Sequence, residues 1–347
     1  MMESVAVTDW NRFLAARGAR IENGLALAFA ETPADYGALL AGTVLCDRGD
    51  LGVLDLSGPE SAKFLQGQTT ADFAKLAPGG VLEGAGCNLH GRVFTSFAAA
   101  ATDTGVLLLM QRALVAPSLQ TLGKYAVFSR TRLSDTSDDH RILGLAGERA
   151  GATLAALGWQ IPERGAARAD DGTLALHCGD ARFLLVVPAA RAQARWLELE
   201  AHVRPAGLPL WHLLEIRAGR AEVRAETSDR FLPQMLDYHR TGAVSFTKGC
   251  YTGQEVVTRT QHRGKLKRHL YRLRIATAAP PAPGTEIGAP DTADPVGTLV
   301  LSAPAGADRC EALAVLRDDI RDATRLEFGS GPLAVEFLPL PGAAEAK

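Results

Sequence analysis

The segment from 244 to 259 concentrates the residue types that could do chemistry in this chain. It reads Val-Ser-Phe-Thr-Lys-Gly-Cys-Tyr-Thr-Gly-Gln-Glu-Val-Val-Thr-Arg, so that Cys250 follows two residues after Lys248. The Thr-Gly-Gln-Glu run has the spacing of a capping box, which predicts a short helix beginning at Gly253. A nearby cation and a helix N-terminus both favour the thiolate over the thiol. The pattern therefore predicts a reactive cysteine at position 250.

A structural role for Cys250 stays open, because an isolated cysteine is more often a small buried apolar residue. The chain has five cysteines, widely spaced and without a Cys-x-x-Cys pair. Such a set argues against a disulfide framework, a zinc ribbon and a self-contained iron–sulfur ligand set. Any iron–sulfur chemistry would require Cys250 to act with a partner's ligands, with a small thiol, or as a transient sulfur or redox centre.

The composition is that of an ordinary globular protein. The 347 residues are 47% hydrophobic and 22% charged, with a formal net charge of −2. This charge excludes a globally basic nucleic-acid coat, and the length suits about two or three domains. The longest apolar runs are too short to cross a bilayer, and the N-terminus lacks the basic and apolar regions of a secretory signal. We therefore expect a soluble protein in the reducing cytoplasm.

Two stretches repeat a strand-then-helix pattern, and these elements must position the motif. Gly105–Gln111 has the composition of a buried strand, and apolar residues at helical spacing follow over Arg112–Gly123. Arg182–Val187 repeats the strand, and Pro188 opens a predicted helix that runs to residue 203. The repetition predicts two related α+β modules in sequence.

Three further patterns complete the predicted elements. Ser57-Gly-Pro-Glu predicts a helix start in which Ser57 is the capping residue. The Pro- and Ala-rich run at 276–284 predicts an extended connector. Beyond it, short β-prone pieces at Gly297–Leu301, Ala312–Leu316 and Leu333–Leu338 predict a small all-β domain or barrel.

The Lys-Gly-Cys-Tyr-Thr-Gly-Gln-Glu run at 248–255 closely resembles the signature of the YgfZ family. Its members are folate-binding relatives of the glycine-cleavage aminomethyltransferase. Four other blocks are similar to the same family, at 58–72, Cys87–Arg92, Lys124–Ser129 and 263–268. The blocks follow one another from about residue 45 to 270, so the resemblance covers most of the chain.

The resemblance implies an α+β fold with two ferredoxin-like, aminomethyltransferase-type modules around a central cleft and a small C-terminal β-barrel. We predict the first module over residues 1–125, of which those before about 40 are peripheral. The second module, with the Lys-Gly-Cys-Tyr motif, is predicted over 126–262, and the barrel over 263–347.

The resemblance also implies a function. The family is implicated in the assembly or repair of iron–sulfur enzymes, including those that thiolate tRNA, so the implied partners are iron–sulfur client or assembly proteins. Cys250 is the implied reactive residue, with Lys248 beside it. The alternative is a folate-dependent one-carbon (aminomethyl) transferase. The Cys87–Arg92 block offers no obvious carboxylate where those transferases carry a catalytic Asp, so aminomethyl transfer and classical enzymatic turnover are not expected.

The implied cofactor is tetrahydrofolate or a related folate in the central channel. A Trp ahead of the second module's last strand helps to hold it in the family, and Trp211 matches that position, with a buried core Trp as the alternative. Two positions depart from the family pattern: Arg217 replaces a Glu that recognises the pterin ring, and Leu51 replaces a Trp of some relatives. Other predicted cofactor contacts lie in the two motifs: Asn88, Arg92, Tyr251, Gln254, Glu255 and Arg259. A solvent-facing turn is the alternative for the block that contains His90 and Arg92.

A basic run follows the motif. Seven Lys/Arg and two His, with no acidic residue, lie between Arg259 and Arg274. The run predicts either a tRNA-binding surface or a strand that enters the barrel with its charges in water. A folate glutamate tail or a phosphate would suit Arg259, Arg263 or Lys265.

Overall fold

A computed structural model describes residues 8–163, 165–169, 171–179, 181–263, 266–290, 292–329 and 331–341. The helices are α1 (Asp9–Ala16), α2 (Tyr36–Leu40), α3 (Ser61–Gln68), α4 (Arg112–Ala126), α5 (Ala150–Ala156), α6 (Ala192–Glu200), α7 (Leu208–Arg217), α8 (Tyr238–Thr241) and α9 (Gln254–Arg263). The strands are β1 (Arg20–Glu22), β2 (Leu25–Ala28), β3 (Val44–Asp47), β4 (Leu51–Ser57), β5 (Val81–Cys87), β6 (Val93–Thr102), β7 (Gly105–Gln111), β8 (Arg132–Asp135), β9 (His140–Ala146), β10 (Ala166–Arg168), β11 (Leu174–His177), β12 (Arg182–Pro188), β13 (Arg204–Ala206), β14 (Arg268–Ile275), β15 (Glu286–Gly288), β16 (Gly297–Pro304), β17 (Cys310–Arg317), β18 (Arg325–Phe328) and β19 (Pro332–Leu338).

The first module is a five-stranded antiparallel sheet in the order β5-β6-β7-β4-β8. Alternate residues of β7 point to opposite faces. Val106, Leu108 and Met110 pack into an outer core with residues of α3 and α4, whereas Leu107 and Leu109 belong to the central core. The predicted buried strand over 105–111 is thus confirmed, and both of its faces are covered.

The second module is a six-stranded sheet in the order β10-β11-β12-β9-β3-β13. Its β12 repeats the arrangement of β7, since Phe183 and Leu185 pack outward with Trp196 of α6, while Leu184 and Val186 face the central core. The inner faces of both sheets meet in that core together with α7. The repeated strand-then-helix pattern therefore did mark two similar modules.

Two strands cross the predicted division of the modules at residue 125. Strand β3 precedes that residue but pairs with β9 of the second sheet. Strand β8 follows it but pairs with β4 at the edge of the first sheet. Each strand pairs with a neighbouring strand whose backbone groups would otherwise be unpaired along one edge. A division of the chain at a single residue does not take such pairing into account. The bounds of the modules stay a prediction.

The predicted cap of α3 is wrong. Ser57 is the last residue of β4, and α3 begins at Ser61. Gly58 makes the turn between them with a φ of +135°, and a Cβ there would lie 2.3 Å from the carbonyl oxygen of Arg130. A conformation that needs glycine intervenes, so the capping pattern falls one turn too early.

The C-terminal strands form a closed barrel in the order β14-β17-β16-β15-β18-β19. Pairing of β14 with β19 closes it. The predicted β-prone pieces lie in β16, β17 and β19, and residues 276–284 connect β14 to β15 without regular structure. The predicted fold class, two α+β modules around a cleft with a C-terminal barrel, is confirmed. No helix among the described residues is long and apolar enough to cross a membrane.

Candidate functional site

The inner faces of the two sheets and α7 line a central cavity that opens to solvent, with about 750 Å³ of empty space when the solvent at its mouth is included. Its apolar wall includes Leu51 of β4, Leu109 of β7 and Leu184 of β12. The polar part of its wall comprises Arg48, Glu83, Gln111, Glu215, Arg220 and Glu222. A cavity that combines an apolar wall with a few converging polar groups is the usual form of a small-molecule site.

Trp211 and Glu215 lie one helical turn apart on α7 and face this cavity. The indole Nε1 of Trp211 donates to Glu215 Oε1 over 2.9 Å, and Arg182 Nη1 lies 2.9 Å from Glu215 Oε2. Burial raises the pKa of the Glu215 carboxyl, and the charge of Arg182 offsets this effect only in part. A buried carboxylate with an aromatic neighbour is thus presented to any ligand in the cavity.

A second charged group lies at the edge of the same cavity, centred on Asp50. Arg48 Nε lies 2.8 Å from Asp50 Oδ1, and His212 Nε2 lies 3.3 Å from Asp50 Oδ2. Burial alone would raise the pKa of Asp50, but Arg48 and His212 hold it well below its ordinary value. The Arg48 guanidinium also lies 5.0 Å from the centre of the Trp211 ring, within cation–π distance. Asp50 therefore fixes the cation that packs on Trp211.

Two expectations about α7 need correction. The helix follows β13, the last strand of the second sheet, so Trp211 does not lie ahead of that strand. Arg217 does not line the cavity, because its Nη2 pairs with Glu311 of the barrel over 3.0 Å. The carboxylate that α7 places in the cavity is that of Glu215, half a turn before Arg217, and the matching of motifs missed it. A single Glu four residues after Trp211 in an otherwise apolar helix was the signal that could have found it.

Lys248 is buried at the C-terminal end of α3. Its Nζ donates to the carbonyl oxygens of Gln66, Thr69 and Ala71 over 2.6, 2.7 and 2.6 Å. Burial lowers the pKa of Lys248 to about 8, which leaves the amine mostly charged at neutral pH. Carbonyl groups at a helix C-terminus lack intrahelical hydrogen-bond donors, and the Lys248 ammonium supplies these donors. Lys248 joins the motif to the first module.

Replacing Lys248 by Met is expected to lower the free energy of unfolding by about 2 to 3 kcal/mol, because three buried carbonyls lose a charged donor. Lys75→Met is the matched control, since Lys75 is 69% exposed and pairs only with Asp72 among the described residues. Its loss should cost less than about 0.5 kcal/mol. Urea unfolding measures both. Equal effects of the two replacements would contradict a structural role for Lys248.

The Lys-Gly-Cys-Tyr-Thr-Gly turn packs against the turn between β5 and β6. Gly253 has a φ of +83°, and a Cβ on it would lie 2.4 Å from the carbonyl oxygen of Asn88. Helix α9 starts after this glycine, and the hydroxyl of Thr252 donates to Gln68 Oε1 over 3.3 Å. Because the helix begins at Gln254, Gly253 rather than Thr252 immediately precedes its first residue, one position later than predicted. The two sequence motifs form one surface in the structure.

Cys250 is exposed on this turn. Cys46, Cys87 and Cys310 are buried, and Cys178 is half-buried. Burial raises the pKa of the Cys87 and Cys178 thiols to about 12, so both stay protonated at neutral pH. Cys250 is therefore the thiol that solvent and a partner reach most readily, which agrees with the predicted reactive residue and excludes the buried alternative.

Asn88 and Arg92 build the β5–β6 turn. Asn88 Oδ1 accepts the backbone N–H groups of His90 and Arg92 over 2.9 and 3.1 Å. Its Nδ2 donates to Asp229 over 2.7 Å, and the Arg92 guanidinium donates to the carbonyl of Arg230. His90 is exposed, and none of these residues lines the central cavity. The alternative of a solvent-facing turn is the one observed.

The other predicted cofactor contacts lie near Cys250 and outside the cavity. Tyr251 is buried, with its ring 5.0 Å from the Lys248 Nζ, and burial raises the pKa of its hydroxyl. Gln254, Glu255 and Arg259 lie on α9, the last two exposed. The structure thus brings Trp211 to the cavity and groups the other six around the motif.

The C-terminal part of the basic run, Arg268–Arg274, lies in the barrel strand β14, whereas Arg259 lies on α9. Within β14, Arg272 pairs with Glu311 over 2.6 Å, Arg274 pairs with Glu336, and His269 Nδ1 lies 2.6 Å from Asp318. The strand alternative thus holds for Arg268–Arg274, in which carboxylates pair with Arg272 and Arg274. Lys265 lies outside the described residues, as does the side chain of Arg263.

Comparisons with known proteins agree with this architecture. No protein-family model matches the chain. The tRNA-modifying protein YgfZ of Klebsiella pneumoniae (strain 342) is 32% identical over 298 residues, which cover 84% of this chain and 90% of the relative. The protein of the same name from Escherichia coli O127:H6 is 33% identical over 243 residues, 69% of this chain and 74% of the relative.

Among solved structures, the glycine cleavage system aminomethyltransferase T from Bartonella henselae shares the fold. Its TM-score is 0.79 at 16% identity, with 96% of each chain covered. This likeness extends through both modules and the barrel, and it concerns the fold alone. Together with relatives above 30% identity over most of both chains, the common architecture shows that this protein belongs to the YgfZ family.

Proposed function

We propose that the protein is a folate-binding accessory protein in the assembly or repair of iron–sulfur enzymes and that it indirectly supports tRNA thio-modification. The observation that carries this proposal is the exposed thiol of Cys250 on a turn that the rest of the fold immobilises. The relatives' name, tRNA-modifying protein, supports the link to tRNA. The iron–sulfur client is the substrate of this activity, and Cys250 acts on it together with the client's own ligands.

The rigidity of the turn supports a chemical role for the thiol. Lys248 anchors one side of Cys250 with three hydrogen bonds, and Gly253 packs on the β5–β6 turn on the other side. A thiol held at a fixed place on a rigid surface loses little entropy when it meets a reaction partner. An exposed cysteine without a chemical role would not require such support.

The residues of the central cavity fit a folate. The pterin ring carries N–H donors and a flat apolar face, and the cavity offers carboxylates together with an aromatic and aliphatic wall. We assign the pterin to Trp211 and Glu215, with Leu51 on the apolar side. A bound folate would carry the one-carbon chemistry. Trp211, Arg182 and, over 3.4 Å, Arg220 face the Glu215 carboxylate, whose two oxygens have about four lone pairs, so it can accept one further N–H group.

Replacing Glu215 by Gln is expected to weaken tetrahydrofolate binding at least tenfold, because the amide brings donors where acceptors are needed and removes the negative charge that faces Arg182. Arg217→Ala on the same helix is the matched control, since Arg217 pairs with the barrel. It should leave the affinity unchanged. Isothermal titration calorimetry measures both, and circular dichroism verifies the fold. A larger loss of tetrahydrofolate affinity in Arg217→Ala than in Glu215→Gln would show that the pterin lies elsewhere.

A one-carbon transferase is the second candidate, and the cavity carboxylates favour testing it. Glu83 and Glu222 line the cavity, although the first pairs with Arg220 and the second accepts from Gln111 over 2.8 Å. Formaldehyde-equivalent transfer to tetrahydrofolate, measured with purified protein, tests this alternative. Turnover that Glu83→Gln or Glu222→Gln removes would replace the accessory role by an enzymatic one.

The proposed function is tested in the host. A strain that lacks the protein is expected to show reduced activity of iron–sulfur enzymes and less 2-methylthio modification of tRNA. Re-expression of the wild-type chain should restore both. Enzymes without iron–sulfur clusters provide the control for general effects on growth. Unchanged iron–sulfur activities in the deletion strain would refute the proposal.

A further inference from the structure

The C-terminal end of α4 and the loop that joins it to β8 expose apolar side chains that the fold does not bury. Phe128 is 88% exposed, Val127 75% and Tyr125 44%. Exposed large apolar residues that cluster in this way mark contact sites more often than chance exposure does. None of the three lies in the central cavity or on the turn that carries Cys250.

The loop is held in place although its side chains point outward. The backbone N–H of Arg130 donates to Glu60 Oε2 over 2.8 Å, and the Thr131 hydroxyl lies 2.7 Å from that of Ser61. The N–H of Ser129 donates to the carbonyl of Ala126 over 2.9 Å. The aromatic rings are therefore presented by a fixed backbone, as a preformed contact site requires.

Exposed cations lie next to these residues in the chain and on α3, whose N-terminal end contacts the loop. Lys63 of α3 is 82% exposed and Arg130 75%. Lys124 and Arg132 flank the loop and are exposed as well. The carboxylate that pairs with this group is that of Glu60, which is 3.8 Å from Lys63 and 3.5 Å from Arg130. Among the described residues, Glu60 is the one carboxylate in an ion pair with these four cations, so the charge of this group of residues is positive.

Aromatic faces within a cluster of cations recognise single-stranded nucleic acid, because bases stack on the rings and phosphates pair with Lys and Arg. An apolar pocket in a partner protein would use the rings but not the excess of cations. We propose that the surface formed by Lys63, Lys124, Tyr125, Phe128 and Arg132 binds single-stranded RNA. This goes beyond the proposed function, in which the support of tRNA modification is indirect.

Helix α3 places this surface near the motif. Its N-terminal end contacts the loop through Glu60 and Ser61, and its C-terminal end contacts the motif through Gln66 and Gln68. Eight residues of helix span about 12 Å. An RNA strand on the loop therefore lies about one short helix away from the segment that carries Cys250.

The test is fluorescence anisotropy of the full-length protein with a labelled single-stranded RNA of twelve nucleotides, at several low salt concentrations. Phe128→Ala is expected to weaken binding about tenfold, and Phe128→Trp to retain it. The double variant Lys63→Ala, Lys124→Ala should reduce the salt slope by about 0.7 for each phosphate that the protein no longer neutralises. A duplex RNA of the same length should bind less well, because its bases are already stacked.

Matched controls separate this surface from general charge and apolarity. Leu197→Ala removes an exposed apolar residue of α6, and the double variant Arg321→Ala, Arg325→Ala removes exposed cations of the barrel region. Both should bind RNA like the wild type, and so should Cys250→Ala, so a failure here is distinguishable from a failure of the proposed function. Absence of binding at low salt, or binding that Phe128→Ala leaves unchanged, would overturn the assignment and favour a protein partner for the loop.

Discussion

Replacement of Cys250 by Ala is expected to reduce iron–sulfur enzyme activity and tRNA 2-methylthio modification to the level of a strain without the protein. The thiol is exposed, so its loss should change the free energy of unfolding by less than about 0.5 kcal/mol. Full loss of function with an intact fold would separate chemistry from stability. The measurement is complementation of the deletion strain, with urea unfolding of the purified variant.

Two matched variants define what the thiol contributes. Cys250→Ser keeps a polar group of similar size but not the nucleophilic sulfur, and it should behave like the Ala variant. Cys310→Ala removes a buried thiol of β17 in the barrel and should complement fully. A thiol reagent should modify the native wild-type protein mainly at Cys250. Complementation by Cys250→Ala would make the cysteine structural and shift attention to the cavity around Trp211.

Asp50→Asn is expected to lower the free energy of unfolding by about 3 to 5 kcal/mol at neutral pH, the range for breaking a buried ion pair. The change removes the anion that Arg48 contacts at 2.8 Å and leaves this buried guanidinium undercompensated. Asp319→Asn is the matched control. Asp319 also pairs with an arginine, Arg317, but it is 59% exposed, so its loss should cost less than about 1 kcal/mol.

The pH dependence of this effect has a definite sign. The folded chain holds the pKa of Asp50 well below its ordinary value of 3.8. The stabilisation is therefore fully present above about pH 5, and it is lost as the pH falls below about 4, where the unfolded carboxyl takes up a proton that the folded one does not bind. The difference between wild type and Asp50→Asn should shrink over that range. Urea unfolding from about pH 8 down to about pH 3 tests this, and a difference that widens below about pH 4 would contradict it.

The sequence was informative where a local pattern has one structural solution. The run Gly105–Gln111 could only be a strand buried on both faces, and the Pro-rich run at 276–284 only a connector. The Lys-Gly-Cys-Tyr-Thr-Gly-Gln-Glu motif was sufficient to predict the family and the fold class. These features depend on residues close together in the chain, where spacing and propensity dominate.

The sequence was misleading where a side chain contacts a group that is distant in the chain instead of the local group that the pattern predicts. The Thr-x-x-Glu spacing predicts a local cap, and it gives no sign that the hydroxyl of Thr252 donates to Gln68 of α3. Lys248 was expected to act beside Cys250, yet three carbonyls of the first module surround its ammonium. No local pattern contains these partners, which lie far away in the chain.

By itself, then, the sequence determined the family, the two modules with their barrel, and Cys250 as the residue most suited to chemistry. Only the tertiary structure decided that α7 presents Glu215 and not Arg217 to the cavity, because the two residues lie half a turn apart and point to different neighbours. It also decided that the fold leaves Phe128 exposed within a group of cations. Side-chain direction and long-range charge pairing depend on packing between elements, which a linear pattern does not contain.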